Sequence, residues 1–91
     1  MIKVRNMVSD RGNDIANQFI IEGDDWTIFQ SYRSVIAKKM YDGSNKIFID
    51  ENYWDYSSTT GRYRNKFLGE TKKETQAKID SGEYILTNLN N

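Results

Sequence analysis

Three breaks divide the first fifty residues into strand-length pieces: SDRGND at 9–14, GDD at 23–25 and DGSN at 42–45. The chain has no proline, so glycine and Asp/Asn carry all of its punctuation. Ahead of the first break, IKVRNMVS sets Ile2, Val4 and Val8 against Lys3, Arg5 and Met7, the alternation of a half-buried strand. ANQFIIE is strand-like through Phe19, Ile20 and Ile21, and WTIFQSY puts Trp26, Ile28 and Tyr32 on one face. VIAKKMY and KIFID flank DGSN, in which Asp42-Gly43 is a hairpin signal. Four or five short strands with tight connections predict an antiparallel meander over residues 1–52.

The chemistry of the C-terminal third is different. In YWDYSSTTGRYRNKFLG, residues 53–69, Ser57, Ser58 and Thr59 are competent N-caps and Gly69 is a natural helix stop. A strand through this stretch would line up Arg62, Arg64 and Lys66 against Tyr63 and Phe67. A helix makes Tyr63 and Phe67 i,i+4 neighbours and turns Arg62 and Lys66 outward, with Arg64 at the edge of that face. The punctuation favours the helix. Thr71-Lys-Lys-Glu74 fits a capping box, and Gly82 stands where a second helix ends. EYILTNL closes the chain as a strand or a packed tail. The expected fold is α+β: a single domain, 1–91, with a small antiparallel sheet and two short C-terminal helices within 57–82 packed on it.

A domain of 91 residues buries only about 60 to 65% of its unfolded surface. Aliphatic residues are sparse, so the 13% of aromatics must supply much of the core. Histidine and cysteine are both absent, which removes the commonest general base, thiolate metal sites and disulfides. Thirteen basic and thirteen acidic side chains cancel, arguing against both a strongly basic nucleic-acid binder and an acidic DNA mimic. The opening MIKVRNMVSDRG lacks the apolar run of a signal peptide, and no stretch is long enough to span a bilayer. The expected setting is the cytosol, away from membranes.

No nucleophile–base pair, phosphate-cradling glycine loop or calcium-loop spacing is present, so neither catalysis, a metal nor a cofactor is expected. Turn formation and edge protection account for Asp24-Asp25 and for Asp50, Glu51 and Asp55. The residues left for binding are Arg62, Arg64 and Lys66 as phosphate contacts, Tyr53 and Tyr32 as exposed aromatics, and Arg11 as an anion contact at a loop tip. Three phosphate contacts give a log–log salt slope of only about −2 to −3, so nucleic-acid binding through the trio would be weak. A solvated helix face explains the same residues without function. Trp54 is expected in the core.

Several words of the sequence, taken in order, carry a likeness: Asn6-Met7-Val8-Ser9 with Arg11-Gly12-Asn13, Asn17-Gln18-Phe19, Phe29-Gln30-Ser31-Tyr32 with Ser34, Ile36-Ala37, Trp54-Asp55-Tyr56-Ser57 with Thr59-Thr60, and Phe67-Leu68. The chain thereby resembles a family of short uncharacterised proteins of tailed phages and prophages, mainly of Firmicutes and other gut bacteria. The resemblance implies a phage accessory protein in the host cytoplasm that acts by binding. The expected partner is a host protein, a defence nuclease or a replication protein occluded in the manner of an anti-CRISPR. Two alternatives stay open: a nucleic-acid accessory protein using the basic face at 62–73, and a sponge for a signalling nucleotide. The oligomeric state is left open.

Overall fold

The turn residues close hairpins where the sequence places them. A computed structural model describes residues 1–91 and gives the order β1 (Lys3–Val8), β2 (Asp14–Glu22), β3 (Trp26–Ser31), β4 (Ser34–Met40), β5 (Ile47–Asp50), α1 (Ser58–Leu68), α2 (Lys72–Asp80) and β6 (Tyr84–Thr87). At the DGSN turn the Asp42 carboxylate accepts from the Ser44 backbone N–H at 3.1 Å. At GDD the Trp26 indole closes on Gly23 so tightly that a Cβ there would overlap the ring unless the indole moved. Only Tyr32 and Arg33 link β3 to β4, and Tyr32 takes a left-handed φ of 56°, uncommon for a bulky residue.

All six strands form one sheet in sequence order. The first five are the expected antiparallel meander; β6 is an additional strand that runs parallel to β5. The reason is the crossover: a parallel neighbour needs a long return connection, and the two helices provide it. Both helices end as their caps dictate. The Ser57 hydroxyl accepts from Thr60 N at 3.1 Å, and Gly69 stops α1 in the left-handed conformation with its N–H on Asn65 O. Thr71 and Glu74 complete the capping box of α2.

The helices cover one face of the sheet. Met7, Ile20, Phe29 and Ile36 form one buried cluster, and Ala37, Ile49 and Tyr84 another. Trp54 and Phe67 pack against both, and Phe67 stacks tilted on Phe29 at 5.7 Å between centroids. A buried hydrogen bond of 2.9 Å between Ser31 and Thr60 ties β3 to α1. The Lys39 ammonium caps the end of α1 by donating to Phe67 O at 2.7 Å, with burial lowering its pKa against the opposing pull of Glu70.

One expectation is reversed. In β1 it is Met7 that enters the core, while Ile2, Val4 and Val8 are exposed. The pairing of Arg5 with Ile20 assigns Arg5 and Met7 to the helix side, and the register shifts between Asn6 and Val8. The apolar set of this strand faces outward.

Candidate functional site

The β1–β2 hairpin tip, residues 9–13, stands across a polar groove from α1. One wall is the hairpin tip and the other is the solvent face of α1. Arg11, Arg62 and Lys66, singled out separately in the sequence, converge here with Ser9, Asp10, Ile15 and Tyr63 around about 440 Å³. Lys66 fixes the two walls together: its ammonium donates to Val8 O at 2.7 Å and lies 3.7 Å from the Asp10 carboxylate. The Arg62 guanidinium lies over the Tyr63 ring at 5.5 Å. Tyr63 in turn packs on the first core cluster, so its ring is anchored from below. Neither Arg11 nor Arg62 takes part in any of the ion pairs. Three cations face one carboxylate, so the groove is a local excess of positive charge in a protein of zero net charge.

Arg64 is not part of that surface. It is 1% exposed, and its guanidinium donates to Trp54 O at 2.6 Å, to Asp55 Oδ1 at 3.3 Å and to Asn65 Oδ1 at 2.9 Å. It also lies 5.1 Å from the Trp54 ring centroid. Two residues along a helix is a rotation of about 200°, so Arg64 points away from Arg62 and into the protein. Its work is to hold the 51–57 connection onto α1. Asp55 completes this latch through Lys72 at 2.7 Å; the hydrogen bond from Lys72, more than that from Arg64, holds its carboxyl below the usual range.

Tyr53 and Tyr32 lie at the same end of the sheet as the 9–13 tip, since β1, β3 and β5 all run toward that end. Tyr32 is 47% exposed and Tyr53 38%, the latter edge-on to Tyr56 at 5.5 Å. They are not brought together with the basic groove into one pocket. Of the acidic residues, Asp50 and Asp24 make contacts that tie the chain together. Asp50 is fully buried and accepts from the backbone N–H groups of Asn52, Tyr53 and Leu89 at 3.0, 2.8 and 2.8 Å. Asp24 pairs with the N-terminal ammonium at 2.7 Å. No group of three or more acidic side chains is placed to hold a metal ion, and no helix is long and apolar enough to cross a membrane.

A second surface lies on the other side of the sheet. One ladder row crosses all six strands through Val4, Ile21, Ile28, Lys38, Phe48 and Ile85. The neighbouring row holds Phe19, and Trp26 pairs with Met40 on the other side. The apolar side chains of both helices pack against the opposite face, so these residues stay half-exposed, and Val4 is 64% exposed. Lys38, the one charge in the row, folds over the Trp26 ring at 5.4 Å. The signal was in the sequence. Phe19-Ile20-Ile21, Ile28-Phe29 and Ile47-Phe48-Ile49 are apolar at consecutive positions, the pattern of strands covered on both faces. Two short helices cover only one.

A family model described as a family of unknown function (DUF8033) matches residues 2–83. No curated protein and no solved structure matches the chain.

Proposed function

We propose that this chain, which belongs to the family of unknown function DUF8033, acts without catalysis, by binding a host protein and occluding part of its surface. The observation that carries this proposal is the uncovered apolar row from Val4 to Ile85. Six strands about 4.8 Å apart make a face about 24 Å wide, and six residues of strand add about 20 Å of height. Its projected area, roughly 480 Å², is more than half of the roughly 800 Å² that each partner gives to a standard interface, and the rim must supply the rest. Ile21 and Ile28 lie in the central strands of the face, with Phe19, Trp26 and Phe48 around them, an aromatic-rich composition like that of a binding hot spot.

The charge on the face favours a different protein over a second copy. A two-fold pairing about the middle of the row would set two Lys38 ammoniums near each other in a desolvated interface. A partner offering an apolar patch with one carboxylate pairs Lys38 instead. The likeness to phage accessory proteins supports a host target, with a defence nuclease complex or a replication protein as the class.

The test is affinity capture from host lysate with the tagged protein and with a variant carrying Ile21→Thr and Ile28→Glu. The thermal melt of the variant is checked first, since both positions are half-exposed and outside the core. The wild-type chain is expected to retain a specific host protein that the variant loses. Equal capture by both, or recovery of nucleic acid with no specific protein, would refute the proposal.

A further inference from the structure

On the helix side, away from the sheet face, we infer that the groove between the 9–13 hairpin tip and α1 binds a nucleoside phosphate, its phosphate held by Arg11, Arg62 and Lys66 and its base stacked on Arg62. This does not depend on the protein-occlusion proposal. Two guanidiniums without an acidic partner stand in the same groove, one on a loop and one on a helix. Unpaired guanidiniums are matched in geometry and charge to phosphate oxygens, which they bind through paired N–H donors. Lys66 adds a third cation whose position is set by its bond to Val8 O.

The aromatic component separates a nucleotide from a bare anion. Tyr63 is anchored in the core cluster and carries the Arg62 guanidinium over its ring at 5.5 Å. Arg62 is exposed, and a guanidinium is a flat cationic plane on which a base stacks as it does on an aromatic ring. Asp10 supplies a carboxylate acceptor for a sugar hydroxyl or a base amino group. A volume of about 440 Å³ suits one nucleotide unit. The unit comes from a free nucleotide or from a single strand of nucleic acid, and the two sources differ in how binding responds to chain length.

The experiment is titration calorimetry of the full chain with inorganic phosphate, adenosine and guanosine monophosphates, and a ten-nucleotide single strand, at about 50 and 200 mM salt. Arg62→Ala and Arg11→Ala are the test variants. Lys73→Ala, an exposed cation outside the groove, is the control. Saturable nucleotide binding is expected, weakened about tenfold or more by Arg62→Ala, weakened also by Arg11→Ala and unchanged by Lys73→Ala. Equal affinity for the monophosphate and for the ten-mer, counted per site, identifies the free nucleotide as the source. Tighter binding of the ten-mer with a log–log salt slope near −2 identifies a strand. The inference is overturned by absence of saturable binding to any nucleotide or strand up to about 10 mM. It is overturned equally if inorganic phosphate binds as well as the nucleotides, or if both arginine variants bind like wild type.

Discussion

Arg62 and Arg64 are two positions apart and chemically identical, yet the structure assigns them opposite consequences. Arg64→Ala removes a buried guanidinium and leaves Trp54 O, which it meets at 2.6 Å, without its donor. A hydrogen bond from a charged group contributes about 1.5 to 3 kcal/mol. Loss of the contact with Trp54 adds about 1 kcal/mol, and the space left by the side chain adds more. The Asp55 pair counts for little: that carboxylate is partly exposed and keeps Lys72 at 2.7 Å. The Nε of Arg64 has no partner, which offsets part of the gain from the intact residue. The net expectation is a loss of about 3 to 5 kcal/mol. A chain of this length has a total stability of only about 5 to 13 kcal/mol, so the melting temperature should fall by at least about 12 °C. Arg62→Ala, on the exposed face, should stay within about 0.5 kcal/mol of wild type. Urea unfolding followed by tryptophan fluorescence measures both, because Trp54 sits at the latch. Arg64→Met separates the causes, since it refills the space but leaves Trp54 O unpaired, and should fall between wild type and alanine. A loss below about 1 kcal/mol for Arg64→Ala, or a larger loss for Arg62→Ala, would refute the assignment of Arg64 to the latch.

Asp50→Asn turns one of three acceptor contacts to backbone N–H groups into a donor facing a donor, and a loss of about 2 to 4 kcal/mol in thermal or urea unfolding is expected. Protection of the Leu89 amide in hydrogen exchange should drop with it, as this bond holds the C-terminal tail. For Glu70, burial opposes ionisation most, but hydrogen bonds from Lys78, Thr75 and Tyr84 together outweigh it and hold the carboxyl below its usual range. A depressed carboxyl contributes stability that is present above its unfolded pKa and lost as pH falls through the folded value, so melting temperature should decline below about pH 4.5, less steeply in Glu70→Gln. At the other end burial first, then the bond to Glu70, pushes the Tyr84 phenol up to about 12; the stability it contributes is complete below about pH 10 and lost as pH rises toward 12.

What was legible in the sequence was local. Asp42-Gly43, Ser57, Gly69 and the Thr71/Glu74 pair each act through atoms within four residues of themselves, and each appears where the sequence puts it. What was not legible was decided between distant elements. Whether residues 84–87 form a strand, and in which direction, depends on where two helices return the chain. Arg64 reads as a surface cation until Trp54 and Asp55 are folded over α1. The β1 alternation is real, but its register against β2 chooses which side faces the helices, and that choice brings Met7 in and leaves Val4 out. Of the candidate residues, Arg11, Arg62 and Lys66 were named for their chemistry alone. Their convergence required the hairpin tip to meet α1, a contact 58 residues apart in the chain between Val8 and Lys66.

The two surfaces also differ in how their side chains bear on stability. The charged side chains of the basic groove, Arg11, Arg62 and Lys66, are exposed, so truncating Arg11 or Arg62 leaves the core packing nearly unchanged. The sheet face is part of the strands themselves. Its half-exposed Ile21, Ile28 and Phe48 sit back to back with the buried Ile20, Phe29 and Ile49. Covering that face removes apolar surface from water at about 25 cal/mol per Å² and adds packing to the central strands of a small, aromatic-dependent core. Any partner that binds only the folded chain stabilises it further, by about 2.7 kcal/mol at a hundred times its dissociation constant. A domain this size gains a large fraction of its stability from such an event. On the proposal that a partner protein covers it, the outer row would act as one half of a core that binding completes, and the melting temperature should rise with partner concentration.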